Sequence, residues 1–278
     1  MVSPVILING ELSKTIDISD RGLHYGDGLF ETIEIFQGQP IFLAQHLARM
    51  KLGCFALKIP FPKEDLLHAE IKQLCTDVEQ GVIKLMLTRG SGGRGYRQPP
   101  SVSVTRMVAL HPFPDYPDSF HTIGISAKFC DFRLGLNPLL AGIKHNNRLE
   151  QVIARSEWED EFQEGLMLDI NDHVIEGTMT NLFVIKGQIV FTPDLKLSGI
   201  NGIIRQIIID LCCEHKIPLK VITMNAALVK SADELFVTNS IIGIWPISQL
   251  GDTVFSVGNV TKSLIAYFKE YKSKGGCE

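Results

Sequence analysis

The chain has 278 residues, of which 45% are hydrophobic and 21% are charged, and its formal net charge is −4. This length suits one large domain or two medium ones, and this composition excludes a disordered chain. The charges are interspersed without a basic stripe or a polybasic run, which argues against nucleic acid and a membrane surface as partners.

The cysteines and the N-terminal residues predict a cytoplasmic protein. The six cysteines are scattered, with no CxxC pair and no metal-ligand spacing with histidine, so we expect free thiols and no metal site. No basic region followed by a long apolar stretch opens the chain, so no signal peptide is expected. No apolar run has the length needed to span a bilayer.

Periodicity and turn residues predict strands and helices in the first part of the chain. Two hairpin turns are predicted, at Asn9-Gly10 and at Gln37-Gly38. A glycine-rich loop, RGSGGRGYRQPP, joins the last two predicted strands. The predicted strands are at 4–12, 29–43, 81–88 and 102–110, and the predicted helices are at 44–57 and 63–78.

Residues 111–120 contain three prolines and few apolar anchors, which is typical of a linker. This linker would separate a smaller N-terminal domain (1–110) from a larger C-terminal domain (121–278). Helices and strands are mixed without regular alternation, which predicts an α+β fold. The second part has predicted helices at 147–162, from 203 and at 259–272, predicted strands at 122–128, 219–224 and 234–238, and hairpins between 165 and 193.

The turn SGING (198–202) runs directly into the apolar helix that begins IIRQ. Free backbone N–H groups and the helix dipole at this end favour a phosphate group. Taken alone, the same residues are explained more simply by an ordinary tight turn before a helix, because glycine is common at a helix entrance.

The loop RGSGGRGY (89–96) lacks the Lys-Ser/Thr pair of a P-loop and lies between two predicted strands. A mobile substrate loop fits better, in which Arg89 and Arg94 could bind an anionic substrate. The alternative is a solvated hairpin tip.

Two further side chains could carry chemistry. Lys144 follows an apolar run and precedes a predicted helix, a setting that favours an amine nucleophile, although most lysines are simply exposed. Glu176 ends a predicted strand, where a carboxylate could pair with a pyridinium nitrogen or simply stabilise a turn. The segment Thr238-Asn239-Ser240 offers hydroxyl and N–H groups at another strand end.

Taken together and in this order, these segments resemble the fold-type IV pyridoxal-phosphate (PLP) enzymes, also called the class IV aminotransferase family. The resemblance covers almost the whole chain, and it implies a two-domain α+β fold, pyridoxal 5′-phosphate as cofactor, a small-molecule substrate and a homodimer. The segments that carry it are DRGLHYGDGLFET (20–32), HLARM (46–50), TRGSGGRGY (88–96), AGIKHNNRLEQ (141–151), EGTMTNLF (176–183), SGINGIIR (198–205) and ADELFVTNS (232–240).

Within this family the resemblance favours the aminodeoxychorismate lyases. GIKHNNRLEQ and RGSGGRGY are similar to the lyases, and so is Thr32 after Phe30-Glu31. Branched-chain aminotransferases carry a tyrosine five positions after the cofactor-binding lysine, and here that position is Leu149. The implied reaction converts 4-amino-4-deoxychorismate to 4-aminobenzoate and pyruvate for folate biosynthesis. D-amino acid or branched-chain transamination is the alternative.

The resemblance also implies a role for each matching residue. Lys144 would bind the cofactor covalently and Thr32 would donate a proton to the substrate. Arg94 is a candidate ligand of a substrate carboxylate. Leu29 and Phe30 depart from the family by leaving the substrate entrance without a tyrosine. The remaining cofactor-binding residues would be Glu176 on the pyridine nitrogen and Arg49, Ile200, Asn201, Asn239 and Ser240 around the phosphate.

Overall fold

The computed structural model describes residues 4–275, and the chain divides into two compact units, each with its own β-sheet. Unit 1 includes the chain up to Pro114 together with Ile143–Asn147, and unit 2 comprises Asp115–Gly142 and Arg148–Ser273. Both units combine helices with a sheet, antiparallel in unit 1 and mixed in unit 2, which confirms the predicted α+β class.

Unit 1 is built on a six-stranded antiparallel sheet with the strand order β2-β1-β6-β5-β3-β4. The turns at Asn9-Gly10 and Gln37-Gly38 are confirmed, and all four residues have positive φ, as two-residue hairpins require. The elements are β1 (Val5–Ile8), β2 (Glu11–Leu12), α1 (Arg21–Tyr25), β3 (Gly28–Phe36), β4 (Gln39–Pro40), α2 (Leu43–Leu57), α3 (Glu64–Cys75), β5 (Gln80–Thr88) and β6 (Thr105–Pro112).

Alternation along β3 gives the sheet of unit 1 two distinct faces. On the helix face, Ile33 is fully buried and packs with side chains of α2 and α3 such as Met50 and Ile71. Phe30 and Thr32 lie on the opposite face, which we call the Thr32 face. Strand β3 therefore contributes both to the core and to a second surface.

Residues 143–147 belong to unit 1, which differs from the predicted division into 1–110 and 121–278. The segment joins unit 1 because its backbone bonds to β3: the Phe30 N–H donates to the Lys144 carbonyl and the Asn146 N–H to the Gly28 carbonyl, both at 3.0 Å. The predicted linker also differs at its ends, since residues 111 and 112 extend β6 and Ser119–Thr122 form a short helix.

Unit 2 contains a nine-stranded mixed sheet with the order β12-β11-β10-β13-β14-β7-β8-β9, in which β15 also pairs with β14. The pairs β11–β12, β14–β7 and β7–β8 are parallel, and α6 provides the crossover from β11 to β12. The elements are α4 (Ser119–Thr122), β7 (Ile125–Leu134), α5 (Leu149–Arg155), β8 (Glu164–Asp169), β9 (Val174–Gly177), β10 (Asn181–Lys186), β11 (Ile189–Pro193), α6 (Ile203–Glu214), β12 (Leu219–Ile222), α7 (Ala226–Lys230), β13 (Glu234–Asn239), β14 (Gly243–Leu250), β15 (Thr253–Val254) and α8 (Asn259–Gly275).

The helix predicted at 147–162 is much shorter, because α5 ends at Arg155. Trp158 turns into the core with 7% of its surface exposed, and its Nε1 donates to the Phe162 carbonyl at 2.8 Å. Strand β14 was not predicted, since Pro246 lies within it and proline is rare in interior strands.

The described residues also bear on the expectations about cysteines, metals and membranes. Free thiols are found at Cys54, Cys75, Cys130, Cys212 and Cys213, while Cys277 lies outside the described residues. Between residues 4 and 275 no group of three or more His, Cys, Asp or Glu side chains is arranged to hold a metal ion. None of the helices in that range is both long enough and apolar enough to cross a bilayer.

Candidate active site

Lys144 lies beside the first residues of β3 in unit 1. Its Nζ is 4.4 Å from the centroid of the Phe30 ring, within the range of a cation–π contact. The side chain is half-buried, and partial removal from water is a setting that favours an amine nucleophile. The surroundings of Lys144 therefore suit the covalent chemistry that the sequence predicts for it.

Thr32 is on the same face of β3 as Phe30, since alternate residues of a strand point to the same side. It is half-buried, and its cross-strand neighbour on β5 is Lys84. The Lys84 Nζ lies 5.6 Å from the centroid of the same Phe30 ring. The Thr32 face thus presents a hydroxyl and a phenyl ring with two ammonium groups close to that ring.

Glu31 faces the other side of β3, where it binds His46 and Arg49 of α2. Its Oε2 lies 2.6 Å from His46 Nδ1, and Arg49 donates from Nε to Oε1 at 2.8 Å and from Nη2 to Oε2 at 2.5 Å. Burial acts to raise the pKa of Glu31, but the Arg49 charge and the hydrogen bonds outweigh it and lower the pKa to about 2. Glu31 therefore fixes the guanidinium of Arg49 with both of its carboxylate oxygens.

The Glu31 carboxylate makes stability sensitive to acid, and Glu31→Gln is expected to remove that sensitivity. The pKa of Glu31 is about 2 in the folded chain and 4.5 in the unfolded chain. The ionised carboxylate therefore stabilises the fold above pH 4.5, and this stabilisation is lost as the pH falls toward about 2. The full contribution is about 3 kcal/mol. Urea titrations between pH 7 and about pH 2.5 measure the free energy of unfolding for both proteins.

The difference in the free energy of unfolding between wild type and Glu31→Gln should be constant above about pH 5 and should shrink as the pH falls further. Because Lys51 and Glu64 form an exposed ion pair at 2.9 Å, Glu64→Gln is the matched control and should have a small effect. A Glu31→Gln difference that does not change with pH would contradict the ion pair.

Arg89, at the start of the glycine-rich loop, is a structural residue and does not face a substrate. It is 2% exposed, and its Nε and Nη2 donate to the two oxygens of Asp27 at 2.7 and 3.0 Å. Its Nη1 and Nη2 also donate to the carbonyls of Lys58 and Leu57 at 2.8 and 2.7 Å. These partners could not be predicted from the sequence, because they lie far from Arg89 in the chain.

Arg94, near the middle of that loop, is exposed and makes no hydrogen bond or ion pair with any residue in the described range. The adjoining Gly95 is fastened on both sides, since its carbonyl accepts from Arg21 Nη1 at 3.0 Å and its N–H donates to the Tyr25 hydroxyl at 3.1 Å. The loop is thus attached to α1, with Arg94 presented to solvent.

Glu176 is the penultimate residue of β9 in unit 2 and is 3% exposed. Its Oε2 accepts from the Ile200 N–H at 2.8 Å, and a contact of Ile200 with a phosphate, which the resemblance implies, stays a prediction. Asn181 lies between them, with Nδ2 2.9 Å from the Ile200 carbonyl and 3.5 Å from Glu176 Oε2. The carboxylate and the SGING turn are therefore held together.

The N-terminus of α6 follows that turn, with Gly202 as N-cap, no side-chain cap and no acidic residue in the first turn. A side chain at position 202 would collide with Asn181, whose Oδ1 would lie 1.9 Å from an added Cβ. Arg205 of α6 donates from Nη1 to Asn201 Oδ1 at 3.1 Å. This helix end is thus open to an anion, with a guanidinium close by.

Asn239 holds the turn after β13. Its Oδ1 accepts from the N–H groups of Ile241 and Ile242 at 2.8 and 2.9 Å, and its Nδ2 donates to the Met179 carbonyl at 3.2 Å. Ser240 beside it is half-buried. The side chain of Asn239 thus shapes the loop, and its direct contact with a phosphate stays a prediction.

Glu164 organises the residues that follow Glu176, and the sequence did not single it out. It is 0% exposed, and Oε1 accepts from the Gly165 N–H and from the N–H and hydroxyl of Thr178. Its Oε2 accepts from the Met179 N–H at 3.3 Å and the Thr180 hydroxyl at 2.7 Å. A carboxylate directly before the buried apolar run GLML is the signal that could have identified it.

A family model for amino-transferase class IV matches residues 28–250 of the chain. This chain belongs to the class IV aminotransferase family. It is 35% identical to an aminodeoxychorismate lyase from Vibrio harveyi, over 92% of this chain and 97% of that protein. It is 29% identical to a putative branched-chain-amino-acid aminotransferase from Methanocaldococcus jannaschii, over 98% of this chain and 97% of that protein.

The crystal structure of 4-amino-4-deoxychorismate lyase from Pseudomonas aeruginosa has a TM-score of 0.92 to this class IV chain. The two sequences are 39% identical, and the match covers 95% of this chain and 98% of that one. The predicted fold-type IV architecture is therefore confirmed. Class IV aminotransferases and aminodeoxychorismate lyases are PLP-dependent.

The residues of this class IV chain fit PLP in their chemistry. In unit 1, Lys144 supplies an amine for the aldehyde; in unit 2, Glu176 supplies a carboxylate for the pyridine nitrogen. The uncapped end of α6 supplies N–H groups for the phosphate. Thr238 is 1% exposed, and its hydroxyl has no hydrogen-bond partner among residues 4–275. A polar ligand would supply that partner.

Proposed function

We propose that this protein is a PLP-dependent lyase that converts 4-amino-4-deoxychorismate to 4-aminobenzoate and pyruvate. The observation that carries the proposal is the position of the Lys144 amine against Phe30, on the face of β3 that bears Thr32. An amine and a hydroxyl on one face can remove a proton and deliver one to neighbouring atoms of a single substrate. Similarity to proteins named as this lyase supports the assignment.

The residues divide the chemistry between them. Bound PLP supplies an electron sink for the carbon that loses its proton. Lys144 would hold the cofactor through its amine until the amine of the substrate displaces it. The freed Lys144 amine would then take the proton from the amine-bearing ring carbon of the substrate. Glu176 keeps the pyridine nitrogen protonated, and Arg49 and the loop residues Asn201, Asn239 and Ser240 hold the phosphate.

Thr32 determines whether the reaction ends in elimination or in transamination, because it sets the atom that receives the proton. The C–O bond to the enolpyruvyl group breaks as the ring becomes aromatic, and Thr32 donates a proton to the departing group as it becomes pyruvate. A transaminase must instead protonate the cofactor carbon, so one hydroxyl can bias the result. Arg94 is the candidate cation for a substrate carboxylate, because it is exposed on a loop that α1 anchors.

Lys144→Ala is expected to abolish both lyase activity and the visible absorbance of lysine-bound cofactor. The substitution removes the amine that binds the aldehyde, and no other group is proposed for that role. Absorbance spectra before and after borohydride, together with 4-aminobenzoate formation from enzymatically generated substrate, measure both effects. Lys84→Ala is the matched control, since it removes the other ammonium near Phe30 and should keep the absorbance. Turnover by Lys144→Ala would refute the assignment.

Thr32→Val is expected to lower kcat for the lyase reaction by about 10²–10⁴ while the cofactor stays bound. Valine has the shape of threonine without the hydroxyl, so the change removes the proton donor and little else. Steady-state kinetics are the measurement, and Arg94→Ala is the comparison because it should raise KM and leave kcat nearly intact. An unchanged kcat in Thr32→Val would assign the proton to another donor.

The second candidate is an aminotransferase, because a relative with that name matches 98% of the chain at 29% identity. Incubation of the purified protein with D-alanine or L-leucine and 2-oxoglutarate tests this reading. Glutamate formation that is faster than 4-aminobenzoate formation would favour the aminotransferase. Colourless protein that cannot be reconstituted with PLP would rule out both readings.

We propose further that the protein is a cytoplasmic homodimer and that α5 contributes to the interface. Three apolar side chains of this helix are exposed, namely Leu149 (74%), Val152 (61%) and Ile153 (46%), and such patches mark interaction surfaces. Free thiols in the described residues support a reducing compartment.

Light scattering measures the mass of the purified protein and should give that of two chains. Val152→Glu is expected to lower it toward that of one chain, because the substitution places a charge in the patch. Lys262→Glu on α8 is the control and should keep the dimer. A wild-type mass of one chain would overturn this part of the proposal.

A further inference from the structure

Arg205 is a buried cation without a carboxylate bound to it. It is 6% exposed, and its three hydrogen bonds go to neutral oxygens: Thr192 Oγ1 at 3.3 Å, Asn201 Oδ1 at 3.1 Å and the Pro193 carbonyl at 3.0 Å. Across residues 4–275 no ion pair includes it. Buried charges are normally paired, so this guanidinium calls for an anion nearby.

The charge of Arg205 and its position in the chain both place positive potential at the N-terminus of α6. Burial lowers the pKa of Arg205, and the charges of Asp194 and Glu176 oppose that change from beyond ion-pair distance. Arg205 lies in the first turn of this 12-residue helix, whose N-terminus has neither a side-chain cap nor an acidic residue. Positive charge and free N–H groups therefore coincide at one place.

A second, independent observation indicates a ligand at this place. The buried Thr238 hydroxyl lacks a partner in the described range, and Thr238 is the cross-strand neighbour of Asn181. Neighbours of this kind have side chains on the same face of a sheet. The Asn181 side chain touches the SGING turn through the Ile200 carbonyl. The unsatisfied hydroxyl is thus on the side of the sheet where the turn and the start of α6 lie.

We infer that Arg205 is a positioning residue for the cofactor phosphate: it fixes the side-chain amide of Asn201 by holding Oδ1 and adds positive charge to the N-terminus of α6. This inference rests on the proposed PLP-dependent function. The ligand chemistry is a phosphate monoester, which carries the negative charge that the site lacks. The guanidinium acts through Asn201 and through its positive charge. We therefore expect Arg205 to affect the affinity for the phosphate and not the reaction at the aldehyde.

The experiment compares the Kd of the cofactor-free protein for PLP with its Kd for pyridoxal, which has the same ring and aldehyde but no phosphate. In Arg205→Met the PLP affinity should fall about 10- to 100-fold, as for loss of a charged partner, while pyridoxal affinity stays within about twofold. Thr192→Val removes another bond to the same guanidinium but leaves Asn201 in place, so it is the matched control and should preserve the ratio of the two constants.

Arg205→Lys keeps the positive charge and the aliphatic part of the side chain, but it cannot make three hydrogen bonds in one plane. This variant replaces Arg205→Met in the experiment if Arg205→Met does not fold. It should reduce the preference for PLP about 3- to 10-fold. A preference within twofold of wild type in a folded Arg205 variant overturns the inference, and so does an equal loss of affinity for both ligands. Wild type that binds neither ligand would instead contradict the proposed function.

Discussion

The candidate chemistry of unit 1 depends on two backbone hydrogen bonds. Residues 144 and 146 pair with residues 30 and 28 of β3, and this short contact carries the Lys144 side chain to the Phe30 ring. Each bond alone contributes about 1 kcal/mol, but together they fix the direction of the chain next to Lys144. An amine on a loop is thereby positioned by a strand, and strands hold side chains more precisely than loops do.

Buried charges hold the loops of unit 2 without depending on ion pairs. Glu164 is surrounded by N–H and hydroxyl donors, and Arg205 by carbonyl, amide and hydroxyl acceptors. Such hydrogen bonds replace the water that each charge loses on burial. The geometry of the loops at 177–180 and 199–202 is thereby fixed by side chains of β8 and α6, which belong to rigid elements.

Local patterns in the sequence predicted the elements well where one turn or one amphipathic stripe decides the structure. Helix α2 and the hairpin at Asn9-Gly10 are examples, because their signals lie within a few residues. The end of α5 could not be predicted, because it depends on the burial of Trp158 in the core. Strand β14 could not be predicted either, because only tertiary packing explains why it tolerates Pro246. Periodicity alone does not carry that information.

The same limit applies to the candidate site. The roles of Lys144, Thr32 and Glu176 follow from motifs that resemble a known family, and they stay predictions. The interpretation of Arg89 as a substrate ligand differs from the structure, because its partner Asp27 lies in another segment. Arg205 could have been found from the sequence, since it is a charged residue among Ile203, Ile204 and Ile208 on an otherwise apolar helix face. Its partners, however, come from β11 and the preceding turn, so the pattern gives the burial and not the bonds.

The attachment of residues 143–147 to β3 also has a consequence for synthesis of the chain. Residues 143–147 come after the first segment of unit 2, Asp115–Gly142, so a ribosome must add that segment before β3 has these backbone partners. At about 5–20 residues per second, the nascent N-terminal sheet waits for several seconds without that segment. The early sheet is thus exposed to non-native association, and the late arrival of the lysine segment delays formation of the reactive surface until after most of the sheet exists.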